Sequence, residues 1–181
     1  MSDQIEQTRW TKTFIRALVQ AGVRSAVISP GYRNTSLVSA LLEQDEIQTF
    51  SVFDERAAAY LALGQARVTQ RPSLLICTSG TAGAHYLPAI IEARYSGLPL
   101  LVLTADRPLH LDQCGAPQTI DQINLYGHHV LGFFELGDPR GDDKSLRALI
   151  RKAAQAYEKT TFPVAGPVHI NFRSEKPLEL N

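Results

Sequence analysis

Leu98 to Ala105 is almost unbroken apolar sequence, and it stops abruptly on Asp106-Arg107-Pro108. A stretch with no polar face has to be covered on both sides, the condition of a central strand in a parallel sheet. Proline cannot donate to a ladder, so a loop must begin at Pro108. This run therefore asks for helices above and below it.

The rest of the chain supplies them. Trp10, Phe14, Leu18 and Ala21 recur at helical spacing, with Gly22 as a C-terminal stop. Ser25 to Ser29 reads as a buried strand running into Pro30-Gly31, and Asn34, Thr35 or Ser36 can cap a helix through Leu42. Ile47 to Phe53 alternates as a strand. Asp54 then caps a helix through Ala59, Leu63 and Ala66. Ser73 to Thr78 is a third strand, and Ser79-Gly80-Thr81 opens a helix of small residues through Ala93. Beyond Pro108, a long polar connection from Leu109 to Gly127 holds a short helix after Thr119. Val130 to Leu136 reads as a strand and Val168 to Phe172 as the last one. Between them, Asp142 to Thr160 is an amphipathic helix with Leu146, Ile150, Ala153 and Tyr157 on one stripe.

Strands and helices alternate without repeats or low-complexity linkers. The expected fold is α/β: an open, mainly parallel sheet of about six strands with helices on both faces, a three-layer αβα arrangement. The 181 residues are expected to form one domain. In such sheets ligands sit beyond the carboxyl ends of the strands, at a switch in strand order. Four strand exits are polar or glycine-bearing: Ser29-Pro30-Gly31-Tyr32-Arg33, Phe53-Asp54-Glu55-Arg56, Thr78-Ser79-Gly80-Thr81 and Thr104-Ala105-Asp106-Arg107-Pro108. They are expected to converge on one crevice.

Composition excludes several classes. Basic and acidic residues balance at 18 each, and no basic run is interleaved with aromatics, so nucleic acid is not expected. Cys77 and Cys114 make no disulfide framework, and neither they nor the five histidines have metal-ligand spacing. The stretch from Met1 to Thr8 is neither a secretory signal nor an Arg-rich transit peptide. No apolar run is long enough to span a membrane, so a cytoplasmic setting is expected.

On the residues alone, the chemistry at the exits stays open. Glu55 in a first helical turn is what the helix dipole favours without any function. Arg33 and Arg107 leave strand ends in the same expected crevice, and two guanidinium groups suit a multiply carboxylated substrate. Thr78-Ser79-Gly80-Thr81 could hold an anion on free backbone amides, although it lacks the lysine and glycine spacing of a P-loop.

Taken together, five motifs in order carry a resemblance: Ser29-Pro30-Gly31-x-Arg33, Phe53-Asp54-Glu55-Arg56, Thr78-Ser79-Gly80-Thr81-Ala82, Leu103-Thr104-Ala105-Asp106-Arg107-Pro108 and Gly166-Pro167-Val168-His169-Ile170-Asn171. From about Trp10 to Leu178 the chain resembles the N-terminal, pyrimidine-binding domain of the menaquinone-pathway 2-succinyl-5-enolpyruvyl-6-hydroxy-3-cyclohexene-1-carboxylate synthases. These are enzymes of the thiamine-diphosphate-binding fold. The resemblance implies that Glu55 hydrogen-bonds N1′ of the cofactor's aminopyrimidine and sets its protonation. A carboxylate shielded in a cleft would then titrate above its ordinary range. Thr78, Ser79 and Gly80 are the other residues expected on the cofactor side. Arg33, Arg107 and Gln118 match positions that contact the acceptor, isochorismate, to which the succinyl semialdehyde unit of 2-oxoglutarate is added.

The family also needs Mg²⁺, which it holds with the diphosphate on a separate diphosphate-binding domain marked by Gly-Asp-Gly. Gly141-Asp142-Asp143 does not fit that motif, and no residue here is expected to ligate metal. The chain is thus expected to be the N-terminal part of a longer enzyme, inactive alone, in a homo-oligomer (dimer or tetramer). Two departures fall on the acceptor side: Tyr32 where the family usually has serine, and Pro117 where it tends to have asparagine. They leave open a related decarboxylase or carboligase with another acceptor. A non-catalytic domain that kept the fold is a third reading.

Overall fold

The computed structural model describes residues 2–180. Five helices, α1 (Ser2–Ala21), α2 (Thr35–Leu42), α3 (Glu55–Thr69), α4 (Leu87–Ser96) and α5 (Asp143–Lys159), surround six strands. The strands are β1 (Ser25–Ile28), β2 (Gln48–Ser51), β3 (Ser73–Cys77), β4 (Leu100–Asp106), β5 (Phe133–Glu135) and β6 (Pro167–Arg173). They lie in the order β2-β1-β3-β4-β6-β5. Every neighbouring pair is parallel, so the sheet is wholly rather than mainly parallel.

The apolar run that asked for cover on two sides receives it. Leu101, Leu103 and Ala105 of β4 pack in one core with Trp10 and Phe14 of α1, Leu37 of α2, Leu149 of α5 and Phe172 of β6. Leu100 and Val102 point the other way, into a second core with Ala62 of α3 and Ile90 of α4. Alternation along one strand thus feeds both cores. The helices α1, α2 and α5 cover one face; α3 and α4 cover the other.

Local signals hold at two helix starts. Asp54 caps α3 by accepting from the Ala57 N–H at 2.9 Å. Asp142 caps α5 by accepting from the N–H groups of Lys144 and Ser145 at 3.1 and 3.0 Å. Upstream of Trp10, α1 reaches back to Ser2 through residues that are polar apart from Ile5. Gln7 there is buried and hydrogen-bonds Thr11 and Ser36.

Three expectations are corrected. Residues Gly80–Tyr86 form a 3₁₀ stretch, and the α-helix begins only at Leu87. Gly80, at the start of that stretch, has a φ of +82°, in the left-handed region, so no α-turn begins on it. The connection after Thr119 holds no α-helix; it makes turns and one 3₁₀ turn at Gly127–His129. On α5 the buried residues are Leu146, Leu149, Ala153 and Ala156, while Ile150 is 42% exposed. Leu146 and Ala153 are on the buried stripe as the spacing suggested and Tyr157 packs against its edge, while Leu149 and Ala156 complete it in place of Ile150.

Candidate functional site

Strand order reverses at β1, which has β2 on one side and β3 on the other. The exits of β1 and β3 touch there. A Cβ built on Gly31 would lie 2.5 Å from Thr78 Cβ, so only glycine fits this approach. The turn is tied down by Asn34: its Oδ1 accepts from the Gly31 N–H and its Nδ2 donates to the Ser29 carbonyl, at 3.0 and 2.9 Å. The Arg33 N–H donates to Thr78 Oγ1 at 3.2 Å.

These contacts place the Arg33 side chain inside the protein, 5% exposed. Its Nη1 donates to the Ser174 carbonyl at 2.8 Å, but Nε is buried with no partner. Burial, and next the nearby Arg107 charge, lower the Arg33 pKa from the usual guanidinium value. A buried donor without an acceptor is costly and invites one from outside.

Arg107 leaves the end of β4 and turns across its own loop. Its Nε donates to Thr119 Oγ1 and its Nη2 to the Pro117 carbonyl. The second contact uses a carbonyl, which proline keeps. Gln118 donates from Nε2 to the Ser79 carbonyl, and Ser79 Oγ donates back to the Gln118 carbonyl. Arg33, Thr78, Ser79, Arg107 and Gln118 therefore line one hollow of about 380 Å³. Lys176 stands at the same hollow with its ammonium 5.5 Å from the centre of the Tyr32 ring.

Glu55 is not in it. Its exit opens on a separate small hollow of about 190 Å³ shared with Asp54, Arg56 and His85. Three exits converge and the fourth does not, because β2 is the edge strand, one position beyond β1. Glu55 is the first residue of α3. It is half-buried, and its carboxylate makes no hydrogen bond among the described residues. The shielding expected around it is thus only partial here.

The 78–81 turn also differs from expectation. The Gly80 N–H is not free for an anion, because Gln122 Oε1 accepts from it at 2.9 Å. Gln122 is one of several residues the motifs did not single out. Its Nε2 donates to the Ala105 carbonyl and to Asn171 Oδ1, at 3.2 and 2.9 Å. Asn171 Nδ2 in turn donates to Asp106 Oδ2 and Glu135 Oε2, at 2.8 and 2.9 Å. Thr104 Oγ1 donates to Asn171 Oδ1 at 2.9 Å and lies 2.8 Å from His169 Nε2. Since the hydroxyl proton is spent on Asn171, His169 must donate from Nε2. Burial holds that imidazole neutral, its pKa down at about 3.

Arg173 is 1% exposed and ends the same network. Polar residues inside the fully buried strand β6 were the available signal, since a buried polar group needs a partner. Behind this network lies a further hollow of about 400 Å³, under the 111–123 loop, walled by Asp106, Gln122 and Arg173. Among the described residues, no group of three or more His, Cys, Asp or Glu could hold a metal ion. Nor is any helix among them long and apolar enough to cross a membrane.

The family described as "Thiamine pyrophosphate enzyme, N-terminal TPP binding domain" matches residues 8–125. Over 170 residues the chain is 57% identical to the 2-succinyl-5-enolpyruvyl-6-hydroxy-3-cyclohexene-1-carboxylate synthase of Sorangium cellulosum, covering 94% of this chain and 28% of that protein. It is 49% identical to the synthase of the same name from Haloquadratum walsbyi, covering 99% of this chain and 29% of that one. For the Listeria innocua synthase the identity is 45%, with 94% and 30% covered. The chain thus spans under a third of the length of these curated relatives.

Proposed function

The chain belongs to the family of N-terminal TPP-binding domains of thiamine pyrophosphate enzymes, and from that premise we propose that it is the pyrimidine-binding domain of a menaquinone-pathway synthase. That enzyme would decarboxylate 2-oxoglutarate and add the succinyl semialdehyde unit to isochorismate. Similarity to curated synthases of that name over nearly the whole chain supports the reading. The observation that carries it is the hollow at the strand exits, where the buried Arg33 Nε lacks a partner beside Arg107. A carboxylate of the acceptor would satisfy that donor, and a second carboxylate would face Arg107.

The residues present fit the pyrimidine side of the cofactor. Glu55 offers an uncommitted carboxylate at the carboxyl end of the sheet, on the first residue of α3. It would hold the proton shared with the pyrimidine ring nitrogen. Thiamine diphosphate, when bound, supplies the electron sink that a 2-oxo acid needs on losing CO₂. Thr78 and Ser79 shape the wall between the cofactor side and the acceptor hollow, and Gly80 lets the chain turn without touching Gln118. Mg²⁺ and the diphosphate fall to a separate diphosphate-binding domain. Phe53, 86% exposed beside Glu55, and Tyr60 and Val68 on the outer side of α3 offer apolar surface to that domain or to a second copy in a homo-oligomer. The two unpaired thiols, Cys77 and Cys114, suit a reducing cytoplasm.

The test is consumption of isochorismate by the protein that carries this chain, with and without 2-oxoglutarate, thiamine diphosphate and Mg²⁺. Consumption that needs all three supports the reading. Decarboxylation of 2-oxoglutarate without use of isochorismate would move it to a carboligase with another acceptor.

A further inference from the structure

We infer that Arg173 and Asp106, together with Asp112, are positioning residues that fix how Arg107 presents its guanidinium to the acceptor. The inference rests on the reading of Arg107 as an acceptor contact.

Both hydrogen-bonding groups of the Arg107 peptide are gripped. Asp106 Oδ1 accepts from the Arg107 N–H at 2.8 Å, and Arg173 Nη1 donates to the Arg107 carbonyl at 2.8 Å. The grip is itself held from below. Asp106 and Arg173 are 2% and 1% exposed and lie 3.6 Å apart. Asn171 Nδ2 ties Asp106 Oδ2 to Glu135, and Glu135 accepts from Arg173 Nε at 3.3 Å. At the far end Arg173 Nη1 also reaches Asp112 Oδ1 at 3.0 Å. That contact anchors the turn over Leu109–Leu111 to the sheet. The Arg107 side chain then spans its loop to Pro117 and Thr119.

Burying an arginine among three carboxylates is a poor way to gain stability, because desolvation offsets most of the attraction. Such an assembly is well suited to fixing an orientation. The planar fork of Arg173 meets Glu135 through Nε and the Arg107 carbonyl and Asp112 through Nη1, directions that a lysine ammonium at one point could not cover together. None of these groups lines the hollow that holds Arg33 and Gln118. Their direct side-chain contact with an acceptor-side arginine is with the Arg107 peptide.

The experiment uses the whole enzyme, with isochorismate as acceptor and 2-oxoglutarate decarboxylation followed separately. Asp112→Ala, at a partly exposed position, is expected to raise the acceptor KM by about 3- to 30-fold. The rate of decarboxylation stays within about twofold, as a loss confined to acceptor binding requires. Arg173→Lys is expected to show the same split, since it keeps the charge and loses the fork. The double variant Arg107→Ala/Asp112→Ala should match Arg107→Ala alone. If Arg107→Ala raises the KM while Asp112→Ala leaves it unchanged, or if the two effects add, the positioning inference falls. If Arg107→Ala itself leaves the KM unchanged, the reading of Arg107 as an acceptor contact falls first.

Discussion

Replacing Gly31 by alanine would put a methyl carbon 2.5 Å from Thr78 Cβ, 2.7 Å from its Cγ2 and 2.9 Å from its Oγ1. Carbon atoms pack best at about 3.5–4.0 Å, so the two strand exits would have to separate by roughly an ångström. The cost is steric rather than conformational, because φ at Gly31 is −172°, extended backbone open to any residue. Rotating the Thr78 side chain brings no relief, since the closest atom is its Cβ. Overpacking of this kind costs about 1–3 kcal/mol, and loss of the Arg33 N–H bond to Thr78 Oγ1 adds about 1 kcal/mol. For a chain of this size the melting temperature should fall by on the order of 10 °C. Urea unfolding followed by circular dichroism reads the change as a lower midpoint at constant slope. A second variant at Thr78 isolates the contact. Thr78→Ala keeps the Cβ and should give little rescue of Gly31→Ala, whereas Thr78→Gly should restore part of the lost stability. A Gly31→Ala protein within about 0.5 kcal/mol of the parent would refute the close approach.

Two further outcomes are expected. Glu55→Gln should nearly abolish turnover of the whole enzyme while its circular dichroism stays unchanged; wild-type turnover in that variant would remove Glu55 from the chemistry. His169 gives a pH dependence whose sign follows from its depressed pKa. The folded state refuses a proton down to about pH 3, whereas the unfolded chain accepts one below about pH 6.5. Stability is therefore lost as pH falls from about 6.5 toward 3, by about 2 kcal/mol between pH 7 and 5. Asp106, raised by burial, works in the opposite sense in the carboxylate range, so the comparison is made with His169→Asn. That variant should show a flatter slope between pH 7 and 5, measured by denaturant midpoints, and an unchanged slope would show that His169 is not the group titrating.

Element order was legible because local rules govern it. Asp54 and Asp142 announce helix starts by their own side chains, and the two-sided run at Leu98 announces a covered strand. Positions set by distant partners were not legible. Nothing near Gly80 says that its N–H will be taken by Gln122, 42 residues on, so the turn reads as an open helix start. β6 enters between β4 and β5 because Leu101↔Val168 and Phe134↔Ile170 pair across long separations. Of the candidate site, Arg33 and Arg107 came together as their strand exits implied, and Gln118, expected from the family resemblance, meets them from the loop after β4. Glu55 stood apart, because motif order does not reveal that β2 lies at the sheet edge.

The place of β6 also orders events in time. While the chain is being made, β4 offers an unpaired flank until Pro167–Arg173 has been synthesised, and an open strand flank is a hazard for wrong pairing. Synthesis at about 5–20 residues per second leaves that flank open for several seconds after β4 is complete. The same strand brings Arg173 to the Arg107 peptide and leads into Ser174, whose carbonyl holds Arg33. Both arginines therefore take their final seats only when β6 docks, so the hollow they line matures after the sheet around it has begun to form.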